Sequence, residues 1–302
     1  MDTLETIDKR IATTRNLQSI VRTMKSLSAV SVRQYERAVI ALEQYSRTLE
    51  LGFQVVISKR PVTFESTQPD DATVAVVFGS DHGLCGRFNE DIAGFAHSTV
   101  KDGEDSHSRL TWLTVGLRAK VKLEALGEDI DMCFFNPGAA SGLITMAHNI
   151  LLTIDQWRME RGIKRVLLFH QMRRGHVTAS PNYLQLLPLD ASWIETLAKR
   201  EWPSHALPCF TMPVDNLFSS LVRQHLFAAV FRAGAESLAS EHATRLISMQ
   251  SAERNIRDRL EEMSRQYSHM RQGSITEELL DVVAGFEVLQ TKRKRRRNLK
   301  PR

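Results

Sequence analysis

A glycine-bearing loop after a short apolar run is the part of the chain best suited to chemistry. The run from Thr73 to Phe78 is rich in β-branched residues, and Gly79-Ser80-Asp81-His82-Gly83-Leu84-Cys85-Gly86 follows it, where a nucleotide phosphate would lie. The spacing fits neither standard phosphate loop, because Gly79 and Gly83 are four apart rather than two and no Gly-Lys-Ser/Thr is present. A tight strand-to-helix turn that needs the backbone freedom of glycine is the better interpretation.

The other reactive residue types form no catalytic or metal-binding pattern. Cys85 has Asp81-His82 nearby but no cluster of cations, and we interpret it as a small buried residue. The ten histidines show no H-x-x-x-H or H-E-x-x-H spacing. The acidic pair Glu90-Asp91 suits the start of a helix, where acids favour the dipole. We therefore expect no catalytic residues, no cofactor and no metal.

Composition points to a protein of a reducing compartment. The chain has 302 residues and three widely spaced cysteines, Cys85, Cys133 and Cys209, which argues against a disulfide framework. The first residues, Met1 to Glu5, are acidic and amphipathic rather than basic and then apolar, so no signal peptide is predicted. No apolar run approaches the roughly 18 residues of a membrane span. We expect a cytoplasmic protein that meets a membrane only through partners.

The basic character of the chain comes from its last twelve residues. Residues 291–302 contain eight Lys or Arg and no acid, and without those charges the net charge of +5 becomes −3. A run of like charges is usually a disordered, solvated segment. The alternative is docking onto an acidic surface of nucleic acid, lipid or protein. Because no aromatic residues interleave the run, we favour the solvated tail.

The middle of the chain predicts an α/β domain over residues 72–200. Short β-branched runs at 73–78, 110–115, 130–135 and 165–170 alternate with helical segments at 117–126 and 141–161, and Gly162 suits a helix C-cap. Such alternation indicates βαβ units and a largely parallel, Rossmann-like sheet. A further strand is predicted at 183–189, with the antiparallel orientation left open.

Long amphipathic helices are predicted on either side of this domain. Apolar residues recur three or four apart over residues 1–58, with no proline before Pro61, and again over 213–290, where Pro213 suits the first turn. Ordinary globular helices are far shorter, so this length is typical of coiled coils. The two apolar stripes must pack against each other or against a partner that surrounds both.

Three segments resemble one known family. They are NLQSIVRTMKSL at 16–27, SDHGLCGRFN at 80–89, and ASEHATRL at 239–246 followed by RQGSITEEL at 271–279. Together they resemble the gamma subunit of F-type ATP synthases, the central rotor stalk, over nearly the whole chain. His82, Arg87 and Lys25 stand where the family usually has Arg, Gly and an acid. With these departures, the chain resembles a divergent branch of the family, similar to the alternate ATP synthases linked to sodium transport.

The resemblance implies a fold and a set of partners. Residues 1–58 and 213–290 would form a left-handed antiparallel coiled coil, the shaft, with the α/β domain inserted between them and a disordered tail at 291–302. The shaft would turn inside a hexamer of alpha and beta subunits, and the α/β domain would lie near the epsilon subunit and the membrane c-ring. The chain would transmit torque without catalysing a reaction, as a peripheral protein at the cytoplasmic face of a bacterial plasma membrane.

The resemblance also implies residues for contact with the head. These are Met24, Lys25, Arg245, Gln272, Thr276 and Glu278, while Gly83, Cys85 and Gly86 would shape the loop. Two other classes remain open: a coiled-coil adaptor whose basic tail binds nucleic acid or another acidic partner, and a nucleotide-dependent enzyme. The glycine spacing disfavours the enzyme, and no nucleic acid is expected for a rotor stalk.

Overall fold

Six helices and five strands make up the described part of the chain. The structure, a computed structural model, describes residues 3–59, 72–102, 109–174, 178–203 and 208–298, without the side chains of 102, 174, 178 and 288–298. The elements in order are α1 (Leu4–Lys59), β1 (Thr73–Phe78), α2 (Phe88–Asp102), β2 (Leu110–Val115), α3 (Leu117–Ala125), β3 (Met132–Phe134), α4 (Gly142–Arg161), β4 (Arg165–Arg174), β5 (Thr178–Leu187), α5 (Ala191–Lys199) and α6 (Val214–Asn298).

The strands form one mixed sheet in the order β3-β2-β1-β4-β5. The pairs β1–β2, β1–β4 and β2–β3 are parallel, which confirms the Rossmann-like α/β prediction. The pair β4–β5 is antiparallel, with a register shift at Val166/Leu167. Parallel strands need crossover connections, and α2, α3 and α4 provide them.

Helices cover both faces of this sheet. Side chains alternate between the two faces along each strand: Val74, Val76 and Phe78 of β1 pack with α4 and α6, whereas Ala75 and Val77 pack with α2 and α3. Every residue of β1 is buried, as expected of a central parallel strand. The uninterrupted apolar run at 73–78 therefore reflects a strand enclosed on both sides.

The chain divides into two compact units, Lys25–Ser248 and Met1–Met24 with Met249–Arg302. In the larger unit, Phe53 of α1 meets Phe218 of α6 edge to face, and Tyr35 stacks on His242. Because the partner number on α6 rises as the number on α1 falls, the helices run antiparallel here. Leu197, near the C-terminal end of α5, packs in the same apolar cluster as residues of α1 and α6.

The smaller unit contains the first part of α1 and the last part of α6. Ile7 and Ile11 pack against Met263, and Arg22 lies 3.4 Å from Glu253 through Nε and Oε1. The pairing is antiparallel again, since the lower-numbered residues of α1 meet the higher-numbered residues of α6. The predicted packing of the two apolar stripes against each other is thus present within each unit.

The bounds of several elements differ from the predicted ones. The strand expected at 130–135 is only β3, because the Asp131 carboxylate and backbone both bond to Trp112 and bend the chain there. The strand expected at 183–189 begins at Thr178, as the antiparallel partner of β4. Helix α5 was not predicted, although its Asp190 N-cap accepts a hydrogen bond from the Ser192 amide.

Helix α6 continues beyond its predicted end at residue 290. The sequence places a disordered tail at 291–302, whereas the helix extends to Asn298. Lys and Arg are good helix formers, and cations near a helix C-terminus suit the dipole, which explains the longer helix. Residues 299–302 of the predicted tail lie outside the described residues.

Candidate functional site

The crevice at the carboxyl ends of β1 and β4 is the place where a doubly wound sheet would bind a ligand. The chain proceeds from β1 to β2 and β3 on one side and returns to β4 on the other, so the topological switch point lies between β1 and β4. Enzymes of this architecture bind their nucleotide at this point.

Helix α6 fills this crevice with small side chains. Ser237 donates from Oγ to the Phe78 carbonyl at 3.4 Å, and Ser240 donates to the Gln171 carbonyl at 3.1 Å. A Cβ atom added at Gly234 would lie 2.7 Å from Met146 Cε and 3.4 Å from Phe78 Cε1, so α6 lies close to α4 and to the end of β1. The space that a nucleotide would need is therefore occupied by the chain itself.

The loop from Gly79 to Gly86, here called the glycine loop, is held by a buried polar cluster. Asn89 accepts from the Ser80 amide at 2.9 Å and donates from Nδ2 to Ser80 Oγ at 2.8 Å. The same Nδ2 lies 3.6 Å from Cys85 Sγ. Burial raises the pKa of the Cys85 thiol, which keeps it protonated and a poor nucleophile at neutral pH.

Asp81 ties the glycine loop to two neighbouring elements. Its carboxylate accepts from the Leu117 amide at 3.0 Å, at the start of α3, and from the Asn136 amide at 2.8 Å, after β3. Asn136 in turn donates from Nδ2 to the Gly79 carbonyl at 2.8 Å. Asp81 therefore uses its charge to join parts of the fold rather than to act on a substrate.

The backbone of the glycine loop turns through left-handed conformations. Gly86 has φ of +60°, which glycine adopts without a steric penalty. Leu84 has φ of +64°, which is uncommon for a residue with a Cβ, and its side chain is exposed. The predicted need for the backbone freedom of glycine applies at Gly86. At Gly83 an added Cβ atom would meet no other atom within 4 Å, so a side chain would fit there.

Arg245 of α6 is buried against the glycine loop. Its guanidinium lies 2.6 Å from Glu241 Oε1, and it donates to the carbonyls of His82 at 3.3 Å and Gly83 at 3.4 Å. The residue is 5% exposed. The resemblance implies that Arg245 contacts the head of a rotary complex, and within this chain its polar atoms bond to the loop and to Glu241 on its own helix.

Burial shifts the pKa values of the side chains beside Arg245. The pKa of Glu241 is raised to about 7 by desolvation, against the opposing attraction of Arg245. The pKa of His242 is lowered to about 4 by burial, with the Arg245 charge acting in the same direction. His242 is therefore neutral at pH 7, and its Nδ1 lies 3.4 Å from an Arg245 nitrogen.

Tyr35 of α1 completes this cluster. Its ring stacks on His242 with centroids 5.7 Å apart, and its hydroxyl donates to the Pro137 carbonyl at 3.3 Å. Burial and the nearby Glu241 raise the pKa of the phenol, so it stays neutral. The site joins α1, α6 and the sheet through buried groups that bond to one another or to the backbone.

The other residues assigned to the head lie on the surface of α1 and α6. Met24 and Lys25 are half-buried, and Gln272, Thr276 and Glu278 are exposed. Thr276 donates from Oγ1 to the Gln272 carbonyl at 2.8 Å, one turn back on the same helix. Met24 and Lys25 lie on α1, whereas Gln272, Thr276 and Glu278 lie on α6. The division between the two units falls between Met24 and Lys25.

Glu241, Asn89 and Asn136 were not singled out from the sequence. The Glu241–Arg245 pair had a usable signal, since an acid four residues before an arginine on a helix is the favoured spacing for an ion pair. The two asparagines had none, because Asn89 bonds to Ser80 nine residues earlier, at no recognised motif spacing, and Asn136 bonds to residues more than 50 positions away. Within the described ranges, no group of His, Cys, Asp or Glu could hold a metal ion, and no helix there is long and apolar enough to cross a membrane.

Comparison with known proteins gives a consistent family. A family model described as ATP synthase matches residues 3–289. The ATP synthase gamma chain of Geotalea uraniireducens is 27% identical over 297 residues, which is 96% of this chain and 100% of the relative. That of Anaeromyxobacter dehalogenans strain 2CP-1 is 28% identical over 301 residues, with the same coverage of both chains.

Solved structures share the fold. The rotor of the Euglena gracilis mitochondrial ATP synthase matches with a TM-score of 0.64 and 14% identity, covering 90% of this chain and 98% of that one. The central stalk and c-ring structure from Tetrahymena thermophila matches with a TM-score of 0.53 and 20% identity, covering 77% and 99%. Because the family match extends over residues 3–289, the chain belongs to the ATP synthase family, in which the relatives it matches over their full length are gamma chains.

Proposed function

We propose that this chain is the central rotor stalk of a membrane ATP synthase, transmitting torque between an ion-driven membrane ring and a catalytic alpha/beta hexamer. The observation that carries the proposal is the match to gamma chains over 96% of the sequence. The packing of α1 against α6 supports it, since paired antiparallel helices resist bending and twisting better than single helices or loops do.

The chain contributes mechanics rather than chemistry. Its ligand crevice is filled by α6, and the buried ionisable groups beside it are paired or neutral. ATP would be made or hydrolysed on the beta subunits. An asymmetric shaft presents a different face to each beta subunit, so its rotation changes their nucleotide affinities in turn.

Surface residues of α1 and α6 would meet the hexamer. We assign this contact to Met24, Lys25, Gln272, Thr276 and Glu278. The exposed polar groups of Gln272 and Glu278 are available to a partner, and the Thr276 hydroxyl is engaged only within its own helix among the described residues. The resemblance implies the same contact for Arg245, although its guanidinium is buried and bonded to the glycine loop in this chain.

The partners follow from the proteins that resemble this chain. Solved relatives include a rotor, a central stalk with its c-ring, and an assembly of the catalytic head with a c-ring. We infer the alpha/beta hexamer, the epsilon subunit and the c-ring as partners. The bacterial relatives favour the cytoplasmic face of the plasma membrane. An adaptor that binds nucleic acid is the weaker candidate, since only the terminal basic segment suggests it.

Co-expression with bacterial ATP synthase alpha and beta subunits tests the proposal. We expect the three chains to purify as one complex whose ATP hydrolysis requires this chain. Alpha and beta subunits expressed alone are the control for background hydrolysis. Failure of the chain to purify with them, together with salt-sensitive binding of the isolated chain to DNA or RNA, would favour the adaptor instead.

A further inference from the structure

We propose that the glycine loop and the Glu241–Arg245 pair form the joint through which torque passes between the α/β domain and α6. This inference rests on the proposed rotor function and gives these residues a positioning role within it. All of them belong to the larger unit. The joint is distinct from the surface contacts with the hexamer and lies where an enzyme of this architecture would hold its ligand.

The contact is made by a buried side chain on a backbone. Arg245 reaches from the flank of α6 to the carbonyls of His82 and Gly83, while Glu241, one turn earlier, holds the guanidinium at 2.6 Å. Backbone carbonyls cannot rotate away as a partner side chain can. Because water is excluded, these charge-assisted bonds are stronger than they would be on the surface.

The loop that receives this contact is itself fixed to the sheet. The Asp81 carboxylate accepts hydrogen bonds from the Leu117 amide at the start of α3 and from the Asn136 amide after β3. Asn89, on α2, bonds to both the amide and the hydroxyl of Ser80. A force on the loop therefore passes into α2, α3 and the end of β3. A free loop would instead bend and absorb it.

The position of the contact suits resistance to twisting. The Cα atoms of a helix lie about 2.3 Å from its axis, whereas a long side chain reaches several times farther. For a given force, the longer lever arm resists a larger torque. The small residues Gly234, Ser237 and Ser240 pack α6 close to the sheet, but near the axis, where they hold distance better than angle.

The glycine loop also lies along the helix flank on both sides of Arg245 in sequence. A Cβ at Gly86 would be 3.5 Å from Thr244 Cγ2 and 3.7 Å from Ser248 Oγ, so the loop backbone follows the helix surface closely. The left-handed φ of Gly86 makes this approach possible. Loop and side chain together enclose one flank of α6 over about one turn.

Rotation of single complexes measures the joint directly. A rod attached through Met159→Cys, which is exposed on α4, reports the angle of the α/β domain while the hexamer is fixed to a surface, and Cys209→Ser removes an exposed competing thiol in every variant. Arg245→Ala removes the contact, and Arg245→Lys keeps the charge but not the planar fork. Arg161→Ala is the matched control, because Arg161 makes an equally short 2.6 Å pair with Asp131 within the α/β domain.

We expect Arg245→Ala to increase the angular variance of the rod in stalled complexes at least about twofold, the change for halved torsional stiffness under equipartition, with a smaller increase for Arg245→Lys. For the alpha/beta hexamer with this chain, released from the membrane ring, the Arg245→Ala variant should hydrolyse ATP at nearly the rate of the unsubstituted chain. In the membrane-bound complex, the same variant should pump fewer ions per ATP against an opposing gradient. Loss of hydrolysis and pumping in equal proportion would indicate a merely structural role and overturn the proposal.

Each other outcome also decides the matter. Unchanged variance in both Arg245 variants, or an equal increase in Arg161→Ala, would contradict the joint. Failure of both Arg245 variants to assemble, while Arg161→Ala assembles, would assign the pair to folding and would equally overturn the proposal. If the unsubstituted chain forms no rotating complex, the proposed rotor function itself fails.

Discussion

Two neighbouring side chains on α6 respond to burial in opposite directions. The pKa of Glu241 is raised from 4.5 to about 7, so between these values the folded chain binds more protons than the unfolded one, and its stability falls as pH rises. The pKa of His242 is lowered from 6.5 to about 4, so the folded chain binds fewer protons there, and its stability increases as pH rises. The two effects oppose each other between pH 4.5 and 6.5.

Single substitutions should separate these effects. We expect His242→Gln to remove the His242 contribution, so that the free energy of unfolding relative to the unsubstituted chain falls by about 1–3 kcal/mol as the pH rises from 4 to 6.5. Glu241→Gln should remove the opposite contribution and give a relative increase as the pH rises from 4.5 to 7. Urea unfolding followed by fluorescence of the buried Trp112 and Trp157 measures both slopes. Relative slopes of the same sign in the two variants would contradict the assignment.

Contact with the hexamer can be tested at Gln272. Its exposed amide is expected to bond to a partner subunit, and loss of one such bond is worth about 1.4 kcal/mol, or roughly tenfold in affinity. We expect Gln272→Ala to weaken assembly with alpha and beta subunits by that factor, measured by titration of the chain into the subunits. Gln266→Ala is the control, because the Gln266 amide already bonds to Glu262 on its own helix. Equal effects of both changes would remove Gln272 from the contact.

Part of the site could be predicted from residue types in the sequence. The glycine content of the loop predicted a tight turn, and the left-handed φ of Gly86 agrees with it, because backbone geometry at glycine follows from local sequence. The role of Arg245 could not be derived this way, since its partners are carbonyls of His82 and Gly83, more than 160 positions away. A motif resemblance assigned Arg245 to a partner, and only the packing of α6 against the loop shows that its bonds are internal.

At the scale of elements, pairing of α1 with α6 depends on a few large buried side chains. Phe53 is fully buried in the larger unit, where it meets Trp193 of α5 and both Phe218 and His225 of α6. We expect Phe53→Ala to destabilise this unit by about 3–5 kcal/mol through lost contacts and the cavity left behind. Ile40→Ala on the same helix is the control, because Ile40 is 63% exposed. The midpoint of thermal unfolding should therefore be clearly lower for Phe53→Ala than for Ile40→Ala. Equal midpoints would show that Phe53 does not stabilise the pairing of α1 with α6.

Elements with strong local periodicity were predicted well, and those defined by partners were not. The bounds of β1 and β2 agree with prediction, because each is an unbroken run of apolar and β-branched residues that is buried apart from the half-buried Leu110. The φ of +69° at Gly162 confirms the predicted C-cap of α4. By contrast, β5 is partly polar and exists as a strand through its antiparallel pairing with β4. Helix α5 is short, and its apolar residues gain their place from α1 and α6.

The whole molecule combines a mildly acidic body with a strongly basic end. Eight cationic residues at 291–302 reverse the sign of the net charge, from −3 to +5. Since α6 is helical to Asn298, six of these charges, at 292–297, lie on a continuation of the helix that carries the proposed hexamer contacts. A partner at this end would therefore meet concentrated positive charge on an ordered backbone, which favours docking onto acidic groups of the head.

Deletion of residues 291–302 tests whether this charge restrains rotation. If the basic segment holds acidic groups of the head, deletion should increase ATP hydrolysis of the assembled complex at low salt. The difference should shrink near 1 M salt, where the screening length falls from about 10 Å at 0.1 M to about 3 Å. Replacement of the eight Lys and Arg residues by Gln at constant length is the matched variant, and it should reproduce the deletion because charge rather than chain length makes the contact. Hydrolysis and complex yield that do not change at low salt in either variant would show that the segment has no such role.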